Sequence, residues 1–255
     1  MPLRHSGVAA RAKLTGFTVL LFGCKMELKE ALLELRIPQQ QAEKMAAYGA
    51  LLEEANKSFN LTRITSPEDM AEKHFYDSLA PVRLGLVREG QCVLDIGTGA
   101  GFPGVPLAIA GLSMTMLDAS EKKIGFVRES CEALAIPAVC IWGRAEELAA
   151  HIGKGGPIGP QDAVVARAVA RLAVLLELGS AFVKKGGLFL AYKGEAAQEE
   201  ADEAQNAAKV LGLRLREIVP AGLPGRAHSL VVYEKVADTP KGYPRKFAKI
   251  KARPL

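Results

Sequence analysis

The chain has 255 residues, of which 49% are hydrophobic and 24% charged. This is an ordinary composition for a globular protein. Its most apolar N-terminal stretch, residues 17–24, is too short to span a bilayer, so we expect a cytoplasmic protein that is not bound to a membrane. The net charge is +5, and 10 of the 33 basic residues lie in residues 1–25 and 241–255, which contain no acidic residue. The remaining 23 basic residues face 28 acidic ones. Basic ends on an acidic body are typical of arms that contact nucleic acid.

Residues 1–25 are expected to be a mobile or non-native extension. They resemble a lipoprotein signal that ends at Cys24, but Phe22 is bulky where such signals have a small residue. Met26 then opens "MELKEALLELRI", which has the apolar spacing of an amphipathic helix. The four cysteines lack C-x-x-C spacing, so we expect free thiols and no metal site.

Residues 26–87 are predicted to form a helical subdomain. The first two helices cover residues 27–37 and the segment up to residue 58. A third begins in "SPEDMAEKHFYDSLA", where Ser66 is a suitable N-cap and Pro67 suits the first helical position.

Residues 88–237 read as alternating strands and helices, the pattern of a doubly wound α/β domain. Strands are predicted at residues 92–96, 114–117, 138–142, 163–167, 188–192, 215–219 and 229–235. Helices are predicted at residues 105–110, 121–134, 145–151, 170–183 and 195–211. The short link "PAGLPGRAH" makes the last two strands an antiparallel hairpin. We therefore expect a mostly parallel seven-stranded sheet with an antiparallel last strand. Residues 238–255 form a basic C-terminal tail.

The first strand runs into a glycine-rich turn, "VLDIGTGAGFPG", that predicts a ligand site at its carboxyl end. The dinucleotide pattern G-x-G-x-x-G fails from Gly97, because residue 102 is Phe102, but it fits from Gly99 through Gly101 and Gly104. An NAD-binding oxidoreductase is therefore one interpretation.

The other interpretation starts at Asp95, from which D-x-G-x-G-x-G is the form found in S-adenosylmethionine-dependent methyltransferases. A carboxylate at Asp95 would suit the ammonium group of that cofactor. Asp118, at the end of the second strand, would accept from ribose hydroxyls in either class and does not discriminate between them.

Six ordered blocks decide between these interpretations. They are "NLTRITSPEDMAEKHFYDSL", "VLDIGTGAGFPGVPLAI", "LDASEKKIGFV", "WGRAEEL", "VVARAVARLAVLLE" and "YKG". Together with "HSLVVYEK" and "TPKGYPRK", they closely resemble the RsmG (GidB) family of bacterial 16S ribosomal RNA guanine-N7 methyltransferases, over about residues 26–247. Residues 1–25 have no counterpart that we identify, and "FAKIKARPL" lacks the expected Arg-Pro-Gly continuation.

The resemblance implies a class I S-adenosylmethionine-dependent methyltransferase fold with a helical N-terminal extension. It implies methylation of one guanine of the small-subunit rRNA near the decoding centre, by an enzyme that we expect to be monomeric. A catalytically idle RNA-binding assembly factor is the non-enzyme alternative. The predicted cofactor-binding residues are Asp95, Gly97, Gly99, Gly101, Phe102, Asp118, Ala119, Ser120, Ala145, Glu146 and Arg167.

Methylation at guanine N7 needs no general base, because N7 has an in-plane lone pair and no proton. The enzyme contributes positioning and electrostatics. Accordingly the chain has no Asn-Pro-Pro-Tyr motif after the fourth strand, where "ARAVAR" stands instead. We assign catalytic roles to Arg167 and Lys193, and RNA contacts to Lys73, Arg171, Arg245 and Lys246.

Other assignments for single residues stay open. Arg167 could instead pair with Asp162, and Arg144 with Glu147. His74 is expected to be a packed histidine bonded to Asp77 or Ser78, and Trp142 a core residue. The tail is expected to be mobile and to have little effect on cofactor binding.

Overall fold

The computed structural model describes residues 28–59, 61–62, 66–221 and 227–255. The predicted extension over residues 1–25, including Cys24, lies outside these residues. Residues 28–34 (α1) are helical, followed by α2 (Gln39–Phe59), α3 (Pro67–Met70) and α4 (Ala80–Arg83). Helix α3 is continued as a π-helix over Ala71–Tyr76 and by one α-helical step at Asp77 and Ser78. Ser66 caps α3 as predicted, since its Oγ accepts a hydrogen bond from the Asp69 amide at 3.1 Å.

Seven strands form one sheet in the order β3-β2-β1-β4-β5-β7-β6. Strands β1 to β5 are parallel, and β7 is antiparallel to both neighbours, β5 and β6. The predicted fold class is therefore confirmed. The strands are β1 (Cys92–Ile96), β2 (Ser113–Asp118), β3 (Ala138–Trp142), β4 (Gln161–Arg167), β5 (Val183–Lys193), β6 (Leu213–Pro220) and β7 (Ser229–Lys235).

Two of the predicted helices differ markedly from those in the structure, and the last helix of the chain was not predicted. They are α5 (Gly104–Ile109), α6 (Glu121–Ala133), α7 (Ala145–Leu148), α8 (Leu172–Gly179), α9 (Ala197–Glu203), α10 (Gln205–Val210) and α11 (Phe247–Ala252). The helix predicted over residues 170–183 is shorter, because Val183 already pairs with Gln161 in the sheet. The helix predicted over 195–211 is two helices, because Ala204 leaves the helical conformation (φ −85°, ψ 2°).

Strand residues alternate between two hydrophobic layers, as the period of two requires. Val93 and Val165 face the layer that contains the N-terminal helices, with Tyr48 and Phe75 in the same cluster. Leu94, Val164 and Phe189 face the other layer, which α8 to α11 cover. The N-terminal helices thus share a core with the sheet, and the subdomain boundary predicted at residue 87 stays a prediction.

The C-terminal tail is folded against the body, so the expectation of a mobile tail is wrong. Ile250 of α11 is fully buried in the second layer, and Tyr243 and Phe247 pack against the same layer. These apolar residues, together with Leu255, hold the tail against the body despite its charge. Within the described ranges, no helix is both long enough and apolar enough to cross a membrane.

Candidate active site

The glycine turn after β1 lies at the switch point of the sheet, where β1 has β2 on one side and β4 on the other. Crevices at such points bind ligands in open α/β sheets. Gly97 and Gly99 line a cavity of about 680 Å³, here called the central crevice. Gly99 has φ +59°, and a Cβ there would meet no atom closer than 4.0 Å, so this side of the turn faces open space.

Gly101 has a different role from the one predicted. Its Cβ would collide with the Tyr48 hydroxyl and Val105, so it is a glycine because α2 packs against the turn. The Tyr48 hydroxyl donates a hydrogen bond to the Ala100 carbonyl at 2.9 Å, and both groups are buried. The N-terminal helices therefore brace the turn directly.

Asp95 also lies behind the turn and not in the crevice. It is fully buried, and its Oδ2 accepts a hydrogen bond from the Gly104 amide at 2.8 Å. Burial raises the pKa of Asp95 to about 7. The carboxyl thus ties the start of α5 to the end of β1, which differs from the predicted contact with a cofactor ammonium group.

Asp118 stands where the ribose-binding acid was predicted. Its Oδ2 accepts from the Gly99 amide and its Oδ1 from the Ser120 amide, both at 2.8 Å. Asp118 and Ala119 line the central crevice and also a smaller neighbouring cavity. Ser120 itself caps α6 through the Lys123 amide.

The smaller cavity, of about 150 Å³, is here called the apolar pocket. Its walls include side chains from the ends of β1 and β2, from α8 and from α11. The predicted residues Ala145 and Glu146 line it, and Glu146 is paired with Arg144 at 3.2 Å. The apolar wall residues are Ile96, Leu117, Val169, Leu178 and Phe247.

An aromatic cluster forms the wall of the central crevice on the α3 side. The ring of Phe102 stacks on that of His74, with centroids 4.5 Å apart. Nε2 of His74 is hydrogen-bonded to Thr62 Oγ1 at 2.8 Å. The expected bond with Ser78 is present, but it runs from the Ser78 hydroxyl to the backbone carbonyl of His74 and not to the ring. Burial, followed by the charge of Arg167, lowers the pKa of His74 to about 4. The imidazole is therefore neutral at physiological pH.

Arg167, at the end of β4, pairs with Asp77 of α3 and not with Asp162. Its NH1 lies 3.1 Å from Asp77 Oδ2 and 3.1 Å from the Lys73 carbonyl oxygen. The guanidinium also lies over the Phe102 ring, 5.4 Å from its centroid. Asp162 instead binds Lys184 and the Cys92 amide. Arg167 is held where the central crevice meets a third cavity.

That third cavity, here called the outer pocket, has a volume of about 300 Å³. Lys193, at the end of β5, donates to Glu200 at 2.7 Å and to the Ala170 carbonyl at 2.8 Å. Asp77 and His228 also line this pocket, with His228 Nδ1 3.4 Å from Asp77 Oδ1. The fold thus brings the two predicted catalytic residues, Arg167 and Lys193, into one pocket.

Three predicted RNA contacts lie away from these cavities. Arg171 forms a surface ion pair with Glu203, and Lys246 is exposed at the start of α11. Arg245 is bound to the buried Glu177, so its side chain anchors the tail instead of reaching outward. The fourth, Lys73, lines the central crevice and pairs with Asp69 at 2.5 Å.

Two further expectations are wrong. Trp142 is 57% exposed and not a core residue, because β3 is an edge strand; its Nε1 donates to the Ala119 carbonyl at 3.1 Å. Arg144 pairs with Glu146 and not with Glu147. Cys92, Cys131 and Cys140, the cysteines among the residues that the structure describes, are free thiols. Of these, Cys92 is exposed to solvent.

Residues 41–228 match the family model described as rRNA small subunit methyltransferase G, GidB. The chain belongs to this family. It is 42% identical to the ribosomal RNA small subunit methyltransferase G of Pelotomaculum thermopropionicum over 86% of this chain and 92% of that protein. It is 40% identical to the protein of the same name from Alkaliphilus oremlandii, over 90% of this chain and all of that one.

Among solved structures, the fold resembles a SAM-dependent methyltransferase from Aquifex aeolicus. The TM-score is 0.52 at 16% identity, over 70% of this chain and 97% of that one. The family predicted from the six sequence blocks is thus confirmed, and the relatives support neither the NAD-dependent nor the idle-factor alternative.

Four residues of the site were missed or misjudged from the sequence: Tyr48, Asp77, His228 and Phe247. Tyr48, His228 and Phe247 reach the site from segments far along the chain from the glycine turn, and Asp77 reaches it from the N-terminal helical segment. For Asp77 a signal existed, since it lies in "HFYDS", a block of the family resemblance.

Proposed function

We propose that this protein transfers a methyl group from S-adenosylmethionine to N7 of a guanine in 16S rRNA, near the decoding centre. The observation that carries the proposal is the line of three joined cavities. The apolar pocket and the central crevice share Gly97, Asp118 and Ala119, and the central crevice and the outer pocket share Asp77 and Arg167. A cofactor and an acceptor base can therefore lie side by side.

The first two cavities suit S-adenosylmethionine, whose one chemical contribution is an electrophilic methyl group on sulfur. An adenine ring fits apolar walls, which the apolar pocket supplies. The ribose fits beside Asp118, at the junction of the two cavities. The amino-acid end fits the central crevice, where the turn leaves open space at Gly99. Of the eleven predicted cofactor residues, Asp95, Gly101 and Ser120 do not line the three cavities. They stabilise the backbone around them.

The outer pocket suits the guanine. O6 and N7 are both hydrogen-bond acceptors, and the lone pair of N7 must stay free for the methyl group. A hydrogen-bond donor on this edge of the base can therefore bind O6 but not N7. An ammonium group has three protons, and Lys193 uses two on Glu200 and Ala170. Arg167 has guanidinium protons beyond those directed at Asp77 and Lys73.

The charges around the outer pocket suit the product. Guanine becomes positively charged when N7 accepts a methyl group, and Asp77 and Glu200 offset the positive charges of Arg167 and Lys193 that the product would otherwise meet. Charges fixed in this way act without reorganisation. No proton has to be removed, which agrees with a neutral, packed His74.

We propose that the enzyme acts as a monomer, without a metal ion, in the cytoplasm where ribosomal subunits are assembled. Lys73 and the exposed tail lysines are the proposed contacts to rRNA phosphates.

Methyl transfer from labelled S-adenosylmethionine tests the proposal. Naked 16S rRNA, assembling particles and small subunits isolated without this methylation are offered separately under saturating cofactor. We expect incorporation into at least one of them, reduced at least tenfold by Lys193→Ala and unchanged by Lys185→Ala, an exposed lysine on the same strand. Tight RNA binding without incorporation into any of the three substrates would favour the idle assembly factor.

A further inference from the structure

The C-terminal tail does more than cover the body, because it supplies part of the wall of the apolar pocket. Phe247, the first residue of α11, lines that pocket together with Leu117 and Leu178. The same helix is anchored by Ile250, which is fully buried beside α8. The aromatic ring is thus held in place and is not a passing contact of a loose end.

A buried ion pair fixes the tail two residues before Phe247. Glu177 lies in the apolar helix α8 and is fully buried. Its Oε1 accepts from the backbone amide of Arg245 at 2.9 Å and from Nε at 2.8 Å, and its Oε2 accepts from NH2 at 2.6 Å. A buried carboxylate needs such partners, and the bidentate fork sets direction as well as distance. Residue 245 therefore has little freedom to move away from α8.

We infer that the C-terminal tail is a working part of the cofactor site, with Phe247 as the outer wall against which the adenine ring packs. The inference rests on the proposed binding of S-adenosylmethionine in these cavities. The polar ends of the cofactor belong in the central crevice, so the flat, largely apolar adenine is left for the apolar pocket. Aromatic rings pack favourably on one another in offset or edge-to-face arrangements.

A second side chain supports this position of the ring. The guanidinium carbon of Arg144 lies 5.3 Å from the centroid of the Phe247 ring. Arg144 is itself held by Glu146, which also lines the pocket. Residues of α11, of α7 and of the turn before α7 thus form one connected wall. We therefore expect changes in the tail to weaken cofactor binding, contrary to the prediction from the sequence.

Titration calorimetry on the full chain tests the inference, with S-adenosylmethionine and S-adenosylhomocysteine as ligands. Phe247→Ala should raise Kd for both about tenfold, the size of a lost aromatic contact. Phe247→Tyr keeps the ring and should stay close to the wild type. Ala248→Ser is the matched control, because Ala248 is exposed on the same helix, and its Kd should not change.

Fluorescence gives a second measurement, since Trp142 is the chain's single tryptophan and is bonded to Ala119 of the same pocket. The melting temperature without ligand shows whether the Phe247→Ala variant is folded. If it is not folded, the Phe247→Leu variant is used in its place, because leucine keeps much of the bulk but lacks the ring. Wild-type affinity in whichever of these variants folds would overturn the inference. If the wild type itself bound no S-adenosylmethionine, the proposed function would fail instead, and the two failures are distinguishable.

Discussion

Arg167 and Asp77 lie 90 positions apart in the chain, yet their side chains meet at 3.1 Å between the central crevice and the outer pocket. Asp77 is 3% exposed and Arg167 16% exposed. The pair joins the end of β4 to α3, so the N-terminal helices and the sheet together build the junction of the two cavities.

Replacing Arg167 should separate its structural role from its role at the site. Arg167→Ala leaves the buried Asp77 without its guanidinium partner, and should lower the free energy of unfolding by about 3 kcal/mol. Arg167→Lys keeps the charge but loses the planar fork. It should recover most of that stability while methyl transfer stays at least tenfold below the wild type.

Denaturant unfolding and initial rates of methyl transfer measure the two effects. Arg214→Ala is the control, because Arg214 forms an exposed pair with Glu234, and such pairs contribute at most about 1 kcal/mol. Full activity in Arg167→Lys would mean that Arg167 contributes only its charge.

Gly99→Ala should weaken cofactor binding far more than it weakens the fold. The new methyl group enters the open space in front of the turn, and the positive φ costs about 1–2 kcal/mol. Gly90→Ala is a matched control, because Gly90 has φ +81° and equally open surroundings but lies before β1, away from the three cavities. Calorimetric Kd values and melting temperatures of both variants test this. Equal loss of affinity in the two would contradict the placement of the ligand at Gly99.

The burial of Asp95 predicts a specific pH dependence of stability. Its pKa of about 7 in the folded protein exceeds the ordinary value of 3.8, so between these values the folded state binds more protons than the unfolded state. The contribution of Asp95 to the free energy of unfolding is therefore greatest at low pH. It is lost as the pH rises to about 7, by at most about 1.4 kcal/mol per pH unit.

The comparison must be made against Asp95→Asn, because the lowered pKa of His74 has the opposite effect: its stabilisation grows as pH rises from about 4 towards 6.5. The difference in unfolding free energy between wild type and Asp95→Asn should decline from pH 4 to pH 7 and then level off. If this difference in unfolding free energy stayed constant from pH 4 to pH 7, Asp95 would be charged in the folded protein over the whole range, which would contradict the prediction.

Removing exposed charges from the tail should affect RNA binding alone. The double variant Lys246→Ala, Lys249→Ala keeps Phe247 and Arg245, so cofactor affinity should match the wild type. RNA affinity should fall, and the slope of log K against log salt should shrink by up to about 0.9 for each lost phosphate contact. Lys185→Ala with Lys209→Ala removes the same charge elsewhere. If both double variants gave the same RNA affinity and slope, the tail lysines would make no special contact.

Local patterns predicted the sheet, the glycine turn and Asp118, because a buried strand followed by glycines and a helix specifies its own geometry. Partners distant in the chain were not predictable in this way. Asp162 was considered for Arg167 because it lies five residues away, whereas the fold supplies Asp77 from α3. Trp142 was assigned to the core because an edge strand cannot be recognised before the strand order is known.

The tail is the most informative error. Six basic residues and no acid between residues 241 and 255 predicted a mobile arm, but charge describes only its exposed side. The sequence also contains a sign that the tail packs against the body. In "LAVLLELG", Glu177 is the single acidic residue of an apolar helix. A buried acid requires a partner, and Arg245 is that partner.

The chemical identity of the product tests the central proposal most directly. Small subunits that lack the methylation are incubated with the protein and S-adenosylmethionine, and their 16S rRNA is digested to nucleosides and analysed by mass spectrometry. The account predicts one new modified nucleoside, 7-methylguanosine, whose amount at matched times is at least tenfold lower with Lys193→Ala and unchanged with Lys185→Ala. A methyl group on another atom of guanine, on another base or on ribose would contradict it.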